Sequence, residues 1–181
     1  MPADVRGRGE RASLGRMART ARLLLTGALL PAALAALTGC SGGFPADPDG
    51  TLERVTGDVL RVGITDNPPW TEAAEGTPPS GLEAEIATEF AGTLGAEVDW
   101  TVGSEEQLIG DLEAGELDLV VGGFTGASPW SEQAALTTPY TTVPDEQGKP
   151  EPHVLAAPLG ENAFLVRLET FLLDEHRDVL P

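Results

Sequence analysis

The chain has 181 residues, with 29 acidic against 11 basic side chains, a net charge of −18, 22 glycines, 15 prolines and a single cysteine. So acidic a surface repels phosphate backbones and anionic lipid, which argues against nucleic acid as a partner and against membrane attachment through a basic patch. One cysteine allows no intrachain disulfide, so apolar packing has to hold the fold.

Arg6, Arg8, Arg11, Arg16, Arg19 and Arg22 precede the small and apolar run Leu23 to Leu37. This is the pattern of a signal peptide, too short and too soon interrupted for a membrane span. Its end, Leu37-Thr38-Gly39-Cys40, resembles the bacterial lipobox, in which the cysteine is lipidated and becomes the first residue of the mature protein. Residues 1–39 are therefore expected to be a leader and Cys40 the lipid attachment, on the extracytoplasmic face of the cell membrane; a free thiol is the alternative reading of Cys40. Met17 to Gly39 already contains two arginines and the apolar core of a leader, so Met17 is a second candidate start. From Cys40 onward 142 residues carry 27 acidic and five basic groups, a net charge of −22, in a length suited to one domain.

Residues 40–58, rich in glycine, proline and acid, read as a flexible tether. A domain over 59–175 and a tail over 176–181 follow. Val59 to Ile64 predicts a strand that runs into Thr65-Asp66-Asn67-Pro68-Pro69-Trp70, where two prolines end it and stiffen the loop. Asp66, Asn67 and Trp70 then stand at a strand's carboxyl end, offering a carboxylate, an amide and an aromatic face to a small polar ligand; Trp70 reads equally as a lid over the core. Thr71 to Ser80 reads as a polar surface loop. Leu82, Ile86, Phe90 and Leu94 recur every four residues and predict an amphipathic helix closing at Gly95, with Glu83 and Glu85 on a solvated face at its start.

Val98, Trp100 and Val102 alternate with polar residues in a second strand that puts Trp100 in the core. Ser104 and Gln107 have capping-box spacing ahead of a short helix carrying Leu108, Ile109 and Leu112 and ended by Gly115. Leu117 to Val121 is a nearly continuous apolar run, as in a strand buried on both faces. Gly122 and Gly123 then permit close backbone approach, Thr125 and Ser128 supply hydroxyls, and Ser128-Pro129 starts a helical turn. The glycines fit a ligand site at the carboxyl ends of strands, and they fit equally a tight turn with no ligand. Thr141 to Pro152 reads as a loop, His153 to Ala157 as a strand, and Asn162 to Leu173 as a helix with Phe164, Leu168, Phe171 and Leu172 on one face. Strand and helix alternate, which predicts an α/β fold: a single lobe with a mostly parallel sheet of about five strands flanked by helices. His153 and His176 lack metal-ligand spacing, and the chain shows no nucleophile paired with a base. No enzyme activity, metal or cofactor is expected.

Taken in order, these landmarks resemble the bacterial extracellular solute-binding proteins of family 3, the polar amino acid receptors of ABC importers. The landmarks are Leu60 to Gly63 into Pro68-Pro69-Trp70, then Gly81-Leu82-Glu83-Ala84-Glu85-Ile86, then Gly115 to Val120 into Gly122-Gly123-Phe124-Thr125, and finally Thr138-Pro139-Tyr140. Ala84 and Phe90 depart from the family's preferred residues. The resemblance implies a periplasmic-binding-protein-like lobe whose cleft face is lined by Asp66, Asn67, Trp70, Gly122, Gly123, Phe124, Thr125 and Trp130. It also implies a small polar solute and an ABC permease as partners. Family members cross after the Pro-Tyr landmark into a second lobe, whereas here only Thr141 to Pro152 fills that gap, so a single lobe is expected, with a homodimer as one source of a second wall. Trp130 stands where amino acid binders carry an arginine that clamps the ligand carboxylate. The competing reading is a lipoprotein module that docks a protein on the former cleft face.

Overall fold

The computed structural model describes residues 45–74, 76–145 and 147–177; the leader and Cys40 lie outside them. The elements are α1 (Thr51–Val55), β1 (Val59–Ile64), α2 (Leu82–Leu94), β2 (Glu97–Val102), α3 (Glu105–Glu113), β3 (Leu119–Val121), a 3-10 turn (Pro129–Glu132), β4 (Ala134–Leu136), β5 (Thr141–Pro144), β6 (Pro150–His153), β7 (Ala156–Pro158) and α4 (Asn162–Glu175). Five strands form one sheet in the order β2-β1-β3-β7-β4. β1 runs parallel to both β2 and β3, and β7 is antiparallel to its neighbours β3 and β4, so four of the five strands point one way.

Alternation along the strands separates two cores. Leu60, Val62, Ile64, Leu119 and Val121 face α2 and α4, meeting Ile86, Phe90, Phe164, Leu168 and Phe171. Leu117, Val120 and Ala156 face α3, meeting Leu108, Ile109 and Leu112. All three residues of β3 are buried, as a strand covered by helices on both faces must be. Gly63 faces Leu117 and, on α3, Leu108, and a Cβ there would lie 2.7 Å from Leu117 Cδ1, so a larger residue would require these side chains to shift. The helix ends follow local chemistry: Ser104 Oγ accepts from the Gln107 amide, and Gly95 closes α2 at φ 66°.

Four expectations change. Residues 51–55 are a docked helix rather than part of a flexible tether. Its amino end is held from α4's side, where Glu161 accepts the Asp49 and Thr51 amides at 3.0 Å each and Asp47 accepts the Phe164 amide at 3.2 Å. Trp100 is only half-buried, because β2 is an edge strand. Residues 141–153 form a hairpin in place of a loop, with Thr141 opposite His153 and Pro144 opposite Pro150. Its prolines are tolerated because a two-stranded ribbon keeps an outward edge that needs no donor. Asp145 closes the turn, its Oδ1 accepting the Gln147 and Lys149 amides at 2.9 and 2.8 Å. Finally, His176 is buried against Phe171, with ring centroids 4.9 Å apart, and does not begin a free tail.

Candidate functional site

The carboxyl ends of β1 and β3 are adjacent, and the two loops that leave them interlock. Asn67 Nδ2 donates to the Gly122 carbonyl at 2.7 Å. Thr71, fully buried, donates through Oγ1 to the Thr65 carbonyl at 2.6 Å and accepts the Asn67 amide at 3.1 Å. Asp66 Oδ1 accepts the Ala73 amide at 2.9 Å, while the side chain remains exposed. The β1 loop therefore satisfies much of its own backbone through these bonds.

Glu83 is the surprise of the site. Expected on a solvated face, it is fully buried, and its Oε2 accepts both the Gly122 and Gly123 amides at 2.8 Å while Oε1 accepts the Tyr140 hydroxyl at 2.7 Å. Burial raises the Glu83 pKa, opposed by the hydrogen bonds from Gly123, Tyr140 and Gly122. Burial, and then the charge of Glu83, push the Tyr140 hydroxyl far up as well. One carboxyl group thus fixes the turn after β3 and anchors the chain as it enters the hairpin. The glycines are required for this geometry. Gly123 sits at φ 69°, and a Cβ there would fall 2.5 Å from Asn67 Nδ2 and 2.9 Å from Trp70 Cδ1.

Trp70 is 8% exposed and His153 4% exposed; the two rings stack with centroids 3.7 Å apart at 26°. Tyr140 meets Trp70 edge-on at 6.4 Å. Burial lowers the His153 pKa against the pull of Glu151, and its Nδ1 has no hydrogen-bond partner. Thr125 pairs with His153 through a backbone bridge.

Asn67, Trp70, Gly122 and Gly123 are therefore brought together, with Thr125 beside them across His153. Phe124 turns inward to the α3 core. Trp130, half-buried, donates through Nε1 to Glu105 on α3 at 3.1 Å. Asp66 points outward. Glu83 and His153 were missed as members. Glu83 lies three and four residues before Ile86 and Ala87, on the buried stripe, which is the signal that identifies it. His153 has no such signal, because it reaches Trp70 only through the hairpin pairing.

Two of the described cations are committed elsewhere. Arg54 and Arg61 converge on buried Asp118 at the opposite end of β3, with nitrogen-to-oxygen distances of 2.6 and 2.5 Å. Burial would raise the Asp118 pKa, but hydrogen bonds from Arg61 and then Arg54 outweigh it and hold the carboxyl below its usual range. Among the described residues, no group of three His, Cys, Asp or Glu side chains is placed to hold a metal.

Residues 60–147 match the family model described as bacterial extracellular solute-binding proteins, family 3. Among solved structures, the chain is similar to the arginine-bound form of domain 1 from TmArgBP, at 22% identity and TM-score 0.56, covering 66% of this chain and 93% of that one. It is similar to an ancestral cationic amino acid solute-binding protein at 16% identity and TM-score 0.56, covering 68% and 91%. It is also similar to a binding component of an ABC transporter from Wolinella succinogenes complexed with lysine, at 14% identity and TM-score 0.55, covering 63% and 88%. At these identities the likeness shows the fold. No curated protein sequence matches the chain.

Proposed function

Residues 60–147 belong to family 3 of the bacterial extracellular solute-binding proteins, and from that premise we propose that this chain is a receptor lobe for a small polar solute carrying positive charge. The observation that carries the charge preference is the composition of the cleft face. By the resemblance Trp130 takes the position of a carboxylate clamp, Asp66 and the Glu105 carboxylate bonded to Trp130 are exposed, and Arg54 and Arg61 are tied to Asp118 at the far end of the strands. An aromatic face attracts a cation by about 0.5 to 2 kcal/mol, and a carboxylate adds to that. The Trp70 ring is covered, so Trp130, Asp66, Asn67 and Thr125 are the groups proposed to meet the solute. Solved proteins of this fold are described with arginine and with lysine bound, which supports the class. Isothermal titration of arginine, betaine and glutamate tests the reading: cation binding tighter than glutamate is expected, and the reverse order overturns it.

We further propose attachment through lipidated Cys40, delivery of the solute to an ABC-type permease, and a homodimer as the source of a second wall. The Cys40→Ser variant should leave the membrane fraction or accumulate unprocessed; unchanged partition with normal processing contradicts the anchor. One observation favours the second reading, a lipoprotein module that docks a protein on this face. The amides of Gly122 and Gly123 and the carbonyl of Gly122 are already bonded within the chain, which leaves fewer polar groups for a solute.

A further inference from the structure

We propose that His153 is a built-in occupant of the Trp70 ring face, carried by the β5–β6 hairpin, and that it decides which solutes can stack there. This inference rests on the receptor reading only for its consequence; the contact itself is geometric. The rings lie 3.7 Å apart and nearly parallel, the spacing of a stacked ligand, and both are buried. Tyr140 closes the indole edge at 6.4 Å. Nothing else can stack on that face while His153 is present.

The imidazole is held by its backbone and not by a side-chain hydrogen bond. The His153 carbonyl accepts the Tyr140 amide at 3.1 Å, Thr141 and Thr125 pair with it, and buried Nδ1 stays unpartnered. Its carrier is a two-stranded ribbon with prolines at 144, 150 and 152, an element of marginal independent stability. A small rearrangement of β6 withdraws the ring and leaves a flat slot the size of an imidazole against Trp70. The group that fits this slot is planar, of the size of an imidazole and able to carry positive charge, such as an imidazolium or a guanidinium. A tetrahedral quaternary amine does not match it.

The test uses a background with Trp100→Phe and Trp130→Phe, in which Trp70 is the only fluorophore of its kind. In the parent, Trp70 should resist acrylamide quenching and show no saturable response to imidazole. His153→Gly should bind imidazole at least tenfold more tightly, with a saturable fluorescence change and a raised melting temperature, because a cavity left by a planar group accepts one of the same shape. Equal imidazole responses in two folded proteins overturn the proposal. Should His153→Gly fail to fold, His153→Phe serves instead: a further fall in Trp70 quenching supports the contact, and quenching in either protein as fast as for free tryptophan overturns it. The receptor reading fails separately. Calorimetry on proteins that keep Trp130 separates the two: imidazole binding by His153→Gly with no binding of any amino acid by the parent keeps the occupant and removes the receptor, whereas arginine binding by the parent with equal imidazole responses does the opposite.

Discussion

Glu83 is the residue on which the site depends most. It satisfies two buried donors, the Gly122 amide and the Tyr140 hydroxyl, and the part-buried Gly123 amide, and each buried one left unpaired costs about 1 to 3 kcal/mol. Glu83→Ala should therefore lower stability by about 3 kcal/mol or more in chemical denaturation. Glu83→Gln, which keeps an oxygen for the two glycine amides and an amide for the Tyr140 oxygen, should lose less than half of that. A Glu83→Ala protein within about 0.5 kcal/mol of the parent would show that the carboxyl group is not the anchor. His153 supplies a pH prediction. Its folded pKa is depressed below the ordinary 6.5 by burial, with Glu151 on its own strand pulling the other way and uncharged Trp70, Tyr140 and Thr125 packed around it. The unfolded chain then binds the proton first, so the contribution of His153 is complete above about 6.5 and is lost as pH falls through the window below it. Asp118, whose folded pKa is lowered from 3.8, contributes stability lost only at more acidic pH, and Glu83, raised from 4.5, acts with the opposite sign. Subtracting the His153→Phe profile isolates the histidine: the parent should weaken relative to the variant as pH falls below 6.5, and parallel profiles contradict the assignment.

At the scale of elements, α2, α3 and β3 were legible because their signals are local. Four-residue recurrence, a serine cap and a glycine stop, and an unbroken apolar run each lie within a dozen residues. The two elements that were not legible depend on distant partners. The short α1 follows a glycine- and proline-rich stretch, and its amino end is satisfied by Glu161, which lies 110 residues from Thr51. The β5–β6 hairpin contains prolines that argue locally against a strand, and its register is set by Tyr140 and Asp145. The stripe expected for α2 is too narrow and not out of phase: Ile86, Phe90 and Leu94 are buried as expected, and Glu83 and Ala87 are buried beside them. Burial would raise the Glu161 pKa, but the Asp49 and Thr51 amides hold it below its usual value. Glu161→Ala removes an N-terminal acceptor and should cost about 1 to 2 kcal/mol while speeding hydrogen exchange over residues 49–55. Exchange there as slow as in the parent would mean that α1 is held by Val55 and Leu52 packing alone.

For the whole molecule, the consequence of the hairpin is geometric. Asp145 and Lys149 meet where β5 turns back onto β6, and in the proposed reading this short hairpin takes the place of a second lobe, which leaves the cleft face with a wall on one side. A small-molecule site usually encloses about 70 to 90 per cent of its ligand. If a two-walled site binds at about 8 kcal/mol, near micromolar, half of its contacts leave about 4 kcal/mol, near millimolar. The proposed charge preference does not depend on a second wall, since it is argued from Asp66 and Trp130. The most direct test is calorimetric titration of the protein from Ser41 onward with arginine, betaine and glutamate, read beside its sedimentation in the same buffer. Saturable binding of a cation is expected, near millimolar for a monomer and tighter only where a dimer sediments, with glutamate weakest. Tight binding of glutamate by a strict monomer would contradict it on both counts.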